Sequence, residues 1–121
     1  MIGIDLIKTS RMQRLIEKFG QKALDRFLSP AEIELASSHK TAAGFWAAKE
    51  ALSKALGVGI GAECSFKDIT ISKTQKGAPK LELSKKLIDA FKIKDTSLSI
   101  THDGEYAIAV VALELATTNK V

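Results

Sequence analysis

Hydrophobic and polar positions change period partway along this chain. Met1 to Leu6 is a short apolar-rich run that predicts a strand. Met12 to Leu28 has helical spacing, with a break expected at Gly20. Ser29-Pro30-Ala31-Glu32 reads as a helix start, with Ser29 as N-cap, Pro30 at the first helical position and Glu32 closing a capping box. That helix is expected to reach about Ser37. Thr41 is placed to cap the next one, Ala42 to Leu56, which Gly57 would end. The period then shortens. Phe66 to Ile71 alternates as a strand, Gln75-Lys76-Gly77 marks a turn, and Pro79 to Leu83 predicts a second strand. Ser84 caps a short helix to about Phe91. Ser97 to Thr101 and Tyr106 to Leu115 are predicted strands joined at Asp103-Gly104. Tyr106 to Leu115 is almost continuously apolar, which predicts a central strand buried on both faces. Helices in the first half and antiparallel strands in the second predict an α+β fold.

The segment Ala42 to Leu56 is the most informative on a helical wheel. Phe45, Leu52 and Leu56 share one arc, flanked by Ala48 and Ala55, and form the expected core face. Glu50 and Lys54 lie on the far side beside Ala43, Ala47 and Ala51, with Trp46 at the edge. Alanines there would leave the backbone open to a ligand that uses Glu50 and Lys54 as polar contacts. The plainer account is that alanine is the best helix former and that Glu50 and Lys54 are an exposed i,i+4 pair worth about 0.3–0.5 kcal/mol.

Composition narrows the classes. The 121 residues fit one domain spanning 1–121, with Thr117 to Val121 read as a loose tail. The longest apolar run, Tyr106 to Leu113, is far short of the roughly 20 residues that cross a bilayer, so no membrane partner is expected. Asp5 interrupts the N-terminal apolar run, unlike a signal peptide. Cys64 is the only cysteine, so neither an internal disulfide nor a cysteine-based zinc site is available; the cytoplasm is the expected location. The net charge of +4 is modest, but Arg11, Arg14, Lys18, Lys22 and Arg26 recur every three or four residues. They make either a docking strip for an acidic partner or a solvated outer face.

Asp5 adds chemistry to the wheel. A carboxylate in an apolar strand needs a partner when buried. That partner is a cation of the basic strip, or a metal shared with Glu50. Two carboxylates without histidine or thiolate suit a hard ion such as Mg²⁺, which takes one or two protein carboxylates together with phosphate oxygens and water. Lys54, one turn on, is placed to neutralise a phosphate. Gly57-x-Gly59-x-Gly61 lacks the ending of a phosphate-binding P-loop and reads as a mobile loop. His102 shares a strand face with Leu98 and Ile100 and lies near a hairpin end; a satisfied, partly buried histidine is its default. His39 and Cys64 have no visible catalytic partner.

Several of these motifs, in order along nearly the whole chain, resemble those of the small holo-[acyl-carrier-protein] synthases, 4′-phosphopantetheinyl transferases. They are Gly3-Ile4-Asp5 with Arg11 six residues on, Trp46-Ala47-Ala48-Lys49-Glu50-Ala51-Leu52-Ser53-Lys54-Ala55-Leu56-Gly57, and Phe66-Lys67-Asp68-Ile69. Gly77-Ala78-Pro79 and Ser99-Ile100-Thr101-His102 with Tyr106-Ala107 complete the set. The resemblance implies transfer of the phosphopantetheine arm of coenzyme A to a serine of acyl carrier protein in fatty acid biosynthesis, with release of adenosine 3′,5′-bisphosphate. It implies Asp5 and Glu50 as Mg²⁺ ligands and Lys54 as a phosphate contact. It also implies Glu50 as an aid to serine deprotonation, and Gly57 and His102 near coenzyme A. Arg11, Arg14 and Lys18 would meet the acidic carrier, in a trimer with sites between subunits. One position departs. Phe45 stands where many members have an arginine that binds the nucleotide phosphate, with Lys40 and Lys76 as candidate replacements.

Two other readings compete. A basic module binding nucleic acid through Arg11 to Arg26 would show strong salt dependence, but the chain has no recognised nucleic-acid motif, and Trp46 and Tyr106 look isolated rather than forming a stacking platform. A metal- or coenzyme A-binding protein without turnover is the third.

Overall fold

A computed structural model of the protein describes residues 1–116; the expected tail at 117–121 lies outside the described residues. Strand β1 (Ile2–Lys8) opens the chain. Helix α1 (Thr9–Phe19) follows directly, its first amide held by the Glu105 carbonyl at 2.7 Å. Gly20, with φ 62°, separates it from the short α2 (Gln21–Asp25), where the break was expected. Helix α3 (Pro30–Leu35) carries the expected capping box: Glu32 N–H donates to Ser29 Oγ at 3.3 Å, and Ser29 N–H to Glu32 Oε1 at 2.7 Å.

The long helix α4 (His39–Ala55) begins three residues before the position read from Thr41. Ser38 is the N-cap, accepting from Thr41 N–H at 3.3 Å, so Thr41 serves as the third helical residue. Gly57, with φ 80°, follows its end. The predicted strand at Phe66 starts late. Asp68 accepts from both the amide and the hydroxyl of Ser65 at 3.0 Å, which winds Phe66–Asp68 into a 3₁₀ turn and delays strand β2 to Ile69–Lys73. Strand β3 (Pro79–Leu83) pairs antiparallel with β2, and α5 (Lys85–Phe91) starts at Ser84 as expected.

Strands β4 (Ile93–Asp103) and β5 (Tyr106–Leu115) form a hairpin. Asp103 pairs with Tyr106, so the two-residue loop is Gly104-Glu105, one residue later than expected, with Gly104 at φ 56°. A three-stranded antiparallel sheet, ordered β1-β5-β4, packs on α4; β2 and β3 form a separate two-stranded sheet. Helices over antiparallel strands make the α+β architecture.

Strand β5 is central, as expected, but only one of its faces is buried. Ala107, Ala109, Val111 and Leu113 lie against the core. Residues between them point away, and so do their β1 partners: Ile4 lies across from Val110 and Leu6 across from Ile108. Ile2, Ile4 and Leu6 are 73%, 57% and 56% exposed. The continuous apolar run in the sequence therefore serves two surfaces, a core and an uncovered sheet face.

Candidate active site

Close packing of β1 on α4 builds the site. Gly3 and Asp5 point from β1 toward the helix. Ala43, Ala47 and Ala51 are fully buried, so the alanine side of α4 is covered by protein rather than left open to a ligand. Asp5 is thereby brought beside the Glu50–Lys54 turn. Lys54 Nζ donates to Asp5 Oδ1 at 2.8 Å. Its ion-pair partner is thus Asp5 across the interface, not Glu50 one turn earlier, and the plain i,i+4 account is set aside. The Asp5 carboxylate is mostly buried while the lysine is half exposed.

Glu50 is half-buried beside this pair. Burial pushes its carboxyl above the usual value and the Asp5 charge pushes it further, against the pull of Lys54 and Arg11. Two carboxylates close enough to repel one another are a fit for a divalent cation, which would relieve that repulsion. Oxygen-only donors select a hard ion. Among the described residues no group of three or more His, Cys, Asp or Glu gathers around one point, so the candidate set is these two carboxylates.

Beyond the end of α4, the glycine loop turns back on the helix: the Val58 and Gly59 amides both donate to the Ser53 carbonyl at 3.2 Å. Lys86 Nζ donates to the Ala62 carbonyl at 3.3 Å and to Asp68 at 3.2 Å, tying the far side of the loop to α5. Cys64 is buried beneath it, and burial raises its thiol to about 11, so it is unreactive at neutral pH.

At the other end of α4, a cleft of about 180 Å³ is lined by Thr41, Gly44, Phe45, Lys73, Pro79 and His102. His102 is exposed, and Nε2 lies 2.8 Å from the Lys40 carbonyl oxygen. Its ring packs on Gly44, where a Cβ would stand 3.2 Å from Nε2. Phe45 belongs to the core, as its place on the wheel implied. The lysine lining this cleft is Lys73; neither Lys40 nor Lys76 lines it.

Arg11, Arg14 and Lys18 are exposed along α1. Beside them a groove is lined by Leu15, Phe19, Lys22, Arg26, Phe27 and Trp46. Trp46 is not isolated. Its ring centroid lies 5.1 Å from that of Phe27 and 4.9 Å from that of Phe66. Under this cluster lies a buried ion pair absent from the sequence reading, Lys49 with Glu32 at 2.9 Å. The signal was on the wheel, because Lys49 falls four residues after Phe45 and three before Leu52, on the core arc.

Residues 1–111 match the model of the 4′-phosphopantetheinyl transferase superfamily. The chain is 66% identical to the holo-[acyl-carrier-protein] synthase of Sulfurimonas denitrificans over 121 residues, all of both chains. It is 60% identical to that of Wolinella succinogenes over 114 residues, 94% of this chain and 97% of the relative. In structure it is similar to Helicobacter pylori holo-[acyl-carrier-protein] synthase in complex with coenzyme A, with TM-score 0.92 and 51% identity over 94% of this chain and all of the other. The motifs on β1 and α4, the architecture that joins them and these relatives agree: the chain belongs to the 4′-phosphopantetheinyl transferase superfamily.

Proposed function

We propose that this chain is a holo-[acyl-carrier-protein] synthase, transferring the 4′-phosphopantetheine group of coenzyme A to a serine of apo-acyl carrier protein. The observation that carries the site assignment is the meeting of Asp5, Glu50 and Lys54 from two distant segments, in a chain 66% identical throughout to an enzyme of that name. The serine hydroxyl forms a bond to the phosphorus bearing pantetheine. The phosphoanhydride bond breaks, and adenosine 3′,5′-bisphosphate leaves.

Asp5 and Glu50 would hold Mg²⁺, whose charge offsets that of the pyrophosphate. Asp5 also orients Lys54, and the half-exposed ammonium of Lys54 neutralises charge on the leaving phosphate. Glu50 would also take the serine proton. The Gly57 loop lies next to the phosphates, and the nucleotide end occupies the cleft of Thr41, Lys73 and His102. Lys73 there supplies the cation that Phe45 does not. Arg11, Arg14 and Lys18 receive the acidic carrier, whose apolar contacts enter the adjacent groove.

A homotrimer is the assembly we infer. The exposed face of Ile2, Ile4, Leu6 and Val110 is a contiguous apolar surface of the kind that single-chain proteins seldom leave open. The number three comes from the family resemblance. Fatty acid biosynthesis is the proposed setting and the cytoplasm the proposed location, consistent with a single, unpaired buried cysteine. No helix among the described residues is long and apolar enough to cross a membrane.

The test is direct: incubate the protein with coenzyme A, Mg²⁺ and apo carrier protein, and weigh the carrier by mass spectrometry. A phosphopantetheine adduct supports the proposal. No adduct on several carriers overturns it. Coenzyme A binding without adduct favours a binding protein, and Mg²⁺-independent, salt-sensitive binding of DNA or RNA favours the nucleic-acid module.

A further inference from the structure

Lys49 and Glu32 are both 1% exposed, and every polar atom at their tips is used. Lys49 Nζ has three protons and three acceptors: the Phe27 carbonyl at 2.6 Å, Glu32 Oε1 at 2.9 Å and the Phe66 carbonyl at 3.2 Å. Glu32 Oε1 also accepts from Ser29 N–H at 2.7 Å, and Oε2 from Ile71 N–H at 2.8 Å. One ion pair thus ties together the segment after α2, the start of α3, the middle of α4, the 3₁₀ turn and β2.

Stability alone is a weak reason for such a pair. Burial pushes the Lys49 ammonium toward deprotonation, opposed by its bond to Glu32 and by the Glu32 charge. An apolar pair of similar volume is often as stable as a buried ion pair, or more so. What the ion pair supplies is direction. Three bonds of fixed geometry set the rotation of α4, where apolar contacts would tolerate several.

Rotation matters at this residue. Glu50 is the next residue, about 100° further around the helix, so fixing Lys49 fixes where Glu50 points. The two carbonyls that hold Lys49 belong to Phe27 and Phe66, whose rings both pack on Trp46; Phe27 and Trp46 line the groove beside the basic helix. One ammonium therefore sets Glu50 on one side of α4 and the groove wall on the other. We propose that Lys49 and Glu32 are positioning residues for the transfer reaction, holding the carrier-facing wall and Glu50 at the separation that delivers the carrier serine in line. The proposal rests on the transferase reading. A misplacement of about 1 Å between reacting groups can lower a rate by about 10²-fold.

The discriminating variant is Lys49→Met with Glu32→Gln. It removes both charges at nearly constant volume and leaves a glutamine able to serve in the capping box. The expected result is a folded protein with a lowered melting temperature, because the Phe27 and Phe66 carbonyls lose their donor and the Ile71 amide its acceptor. Coenzyme A affinity measured by calorimetry without carrier and without Mg²⁺ should be unchanged, kcat in the presence of Mg²⁺ should fall at least about tenfold, and the carrier KM should rise. Glu32→Gln alone keeps two of the three Lys49 acceptors but leaves the ammonium buried without a counter-ion, so it should lower the melting temperature further than the double variant while lowering kcat by less. A double variant with unaltered kcat and carrier KM overturns the proposal, and so does one that does not fold, which would make the pair a requirement of the fold. Absence of transfer by the unaltered chain would instead overturn the transferase reading.

Discussion

Gly3 and Ala51 meet backbone to backbone where β1 crosses α4. A Cβ on Gly3 would run into the Ala51 carbonyl oxygen and stand 2.6 Å from the Ala55 amide nitrogen. Neither obstacle is a side-chain tip that could swing aside. The absence of a side chain at Gly3 is what lets Asp5, two residues along the same strand face, reach Lys54. Gly3→Ala should therefore push strand and helix apart. Overpacking of this kind costs about 1–3 kcal/mol, and metal affinity at the two carboxylates should fall by about tenfold or more. Thermal melting and calorimetric titration with Mg²⁺ read the two effects separately. A variant with unaltered Mg²⁺ affinity would break the link between Gly3 and the site.

Asp5→Asn and Glu50→Gln each remove one proposed metal ligand without changing volume. Both should lower kcat/KM by roughly a hundredfold or more while the protein stays folded. Circular dichroism monitors the fold, and Mg²⁺ titration distinguishes a lost ligand from a lost proton acceptor. Near-normal turnover in either variant removes that residue from the metal site.

Much of this arrangement was legible before the structure. The capping box at Ser29, the break at Gly20 and the stop after Leu56 depend on local chemistry, which sequence states directly. Asp5 and Glu50 were singled out because a carboxylate in an apolar strand and another on an alanine face are locally unusual. The misreadings depend on partners distant in sequence. Alanines of α4 looked like a surface for a ligand because nothing local says that β1 will cover them. Tyr106 to Leu115 looked buried twice over because a strand with an uncovered apolar face has the same composition as a doubly covered one. Lys49 falls on the core arc, but its counter-ion Glu32 reads locally as a helix cap, and nothing local pairs two residues 17 apart. Glu32 fills both roles, with Oε1 shared between Ser29 N–H and Lys49.

Two cations on different surfaces should divide the kinetic constants. Arg14 is exposed on α1, whereas Lys73 lines the cleft with Phe45 and His102. Arg14→Glu should raise the KM for the carrier more than that for coenzyme A, and salt should shrink the difference. Lys73→Ala should do the reverse, with about a tenfold rise in the coenzyme A KM and little change for the carrier. Lys40→Ala and Lys76→Ala serve as comparisons. Equal effects of Arg14→Glu on both substrates would argue against docking on α1, and an effect of Lys76→Ala larger than that of Lys73→Ala would move the nucleotide phosphate toward the hairpin turn.

The uncovered sheet face gives the assembly a test of its own. Ile4 lies in its middle, across from Val110. Ile4→Glu places a charge where copies would meet, and a desolvated, unpaired charge is costly. The unaltered chain should sediment at three times the chain mass and Ile4→Glu as a single chain, with turnover lost if the site is completed by a neighbouring copy. A monomeric unaltered chain at micromolar concentration would sink the trimer while leaving the transferase chemistry standing.

Acid should reveal the anchor of the glycine loop. Burial pushes the Asp68 carboxyl up, but hydrogen bonds from Ser65 N–H, Ser84 Oγ, Lys86 Nζ and Ser65 Oγ overcome it and hold the group at about 2 rather than 3.8. The folded state therefore binds fewer protons than the unfolded state between these values. Stability from Asp68 is present above about pH 4 and is lost as pH falls toward 2. Its size is on the order of 1–2 kcal/mol after discounting for the half-exposed Lys86. Asp68→Asn should be less stable than the unaltered chain at pH 7, and the gap in urea midpoint should close as pH falls from 4 to 2. A gap that stays constant over that range would mean that the carboxylate's charge contributes nothing and that the asparagine loses only shape and hydrogen bonds. Because Lys86 also holds the Ala62 carbonyl, loosening of this anchor should appear first as faster amide exchange between Gly57 and Cys64.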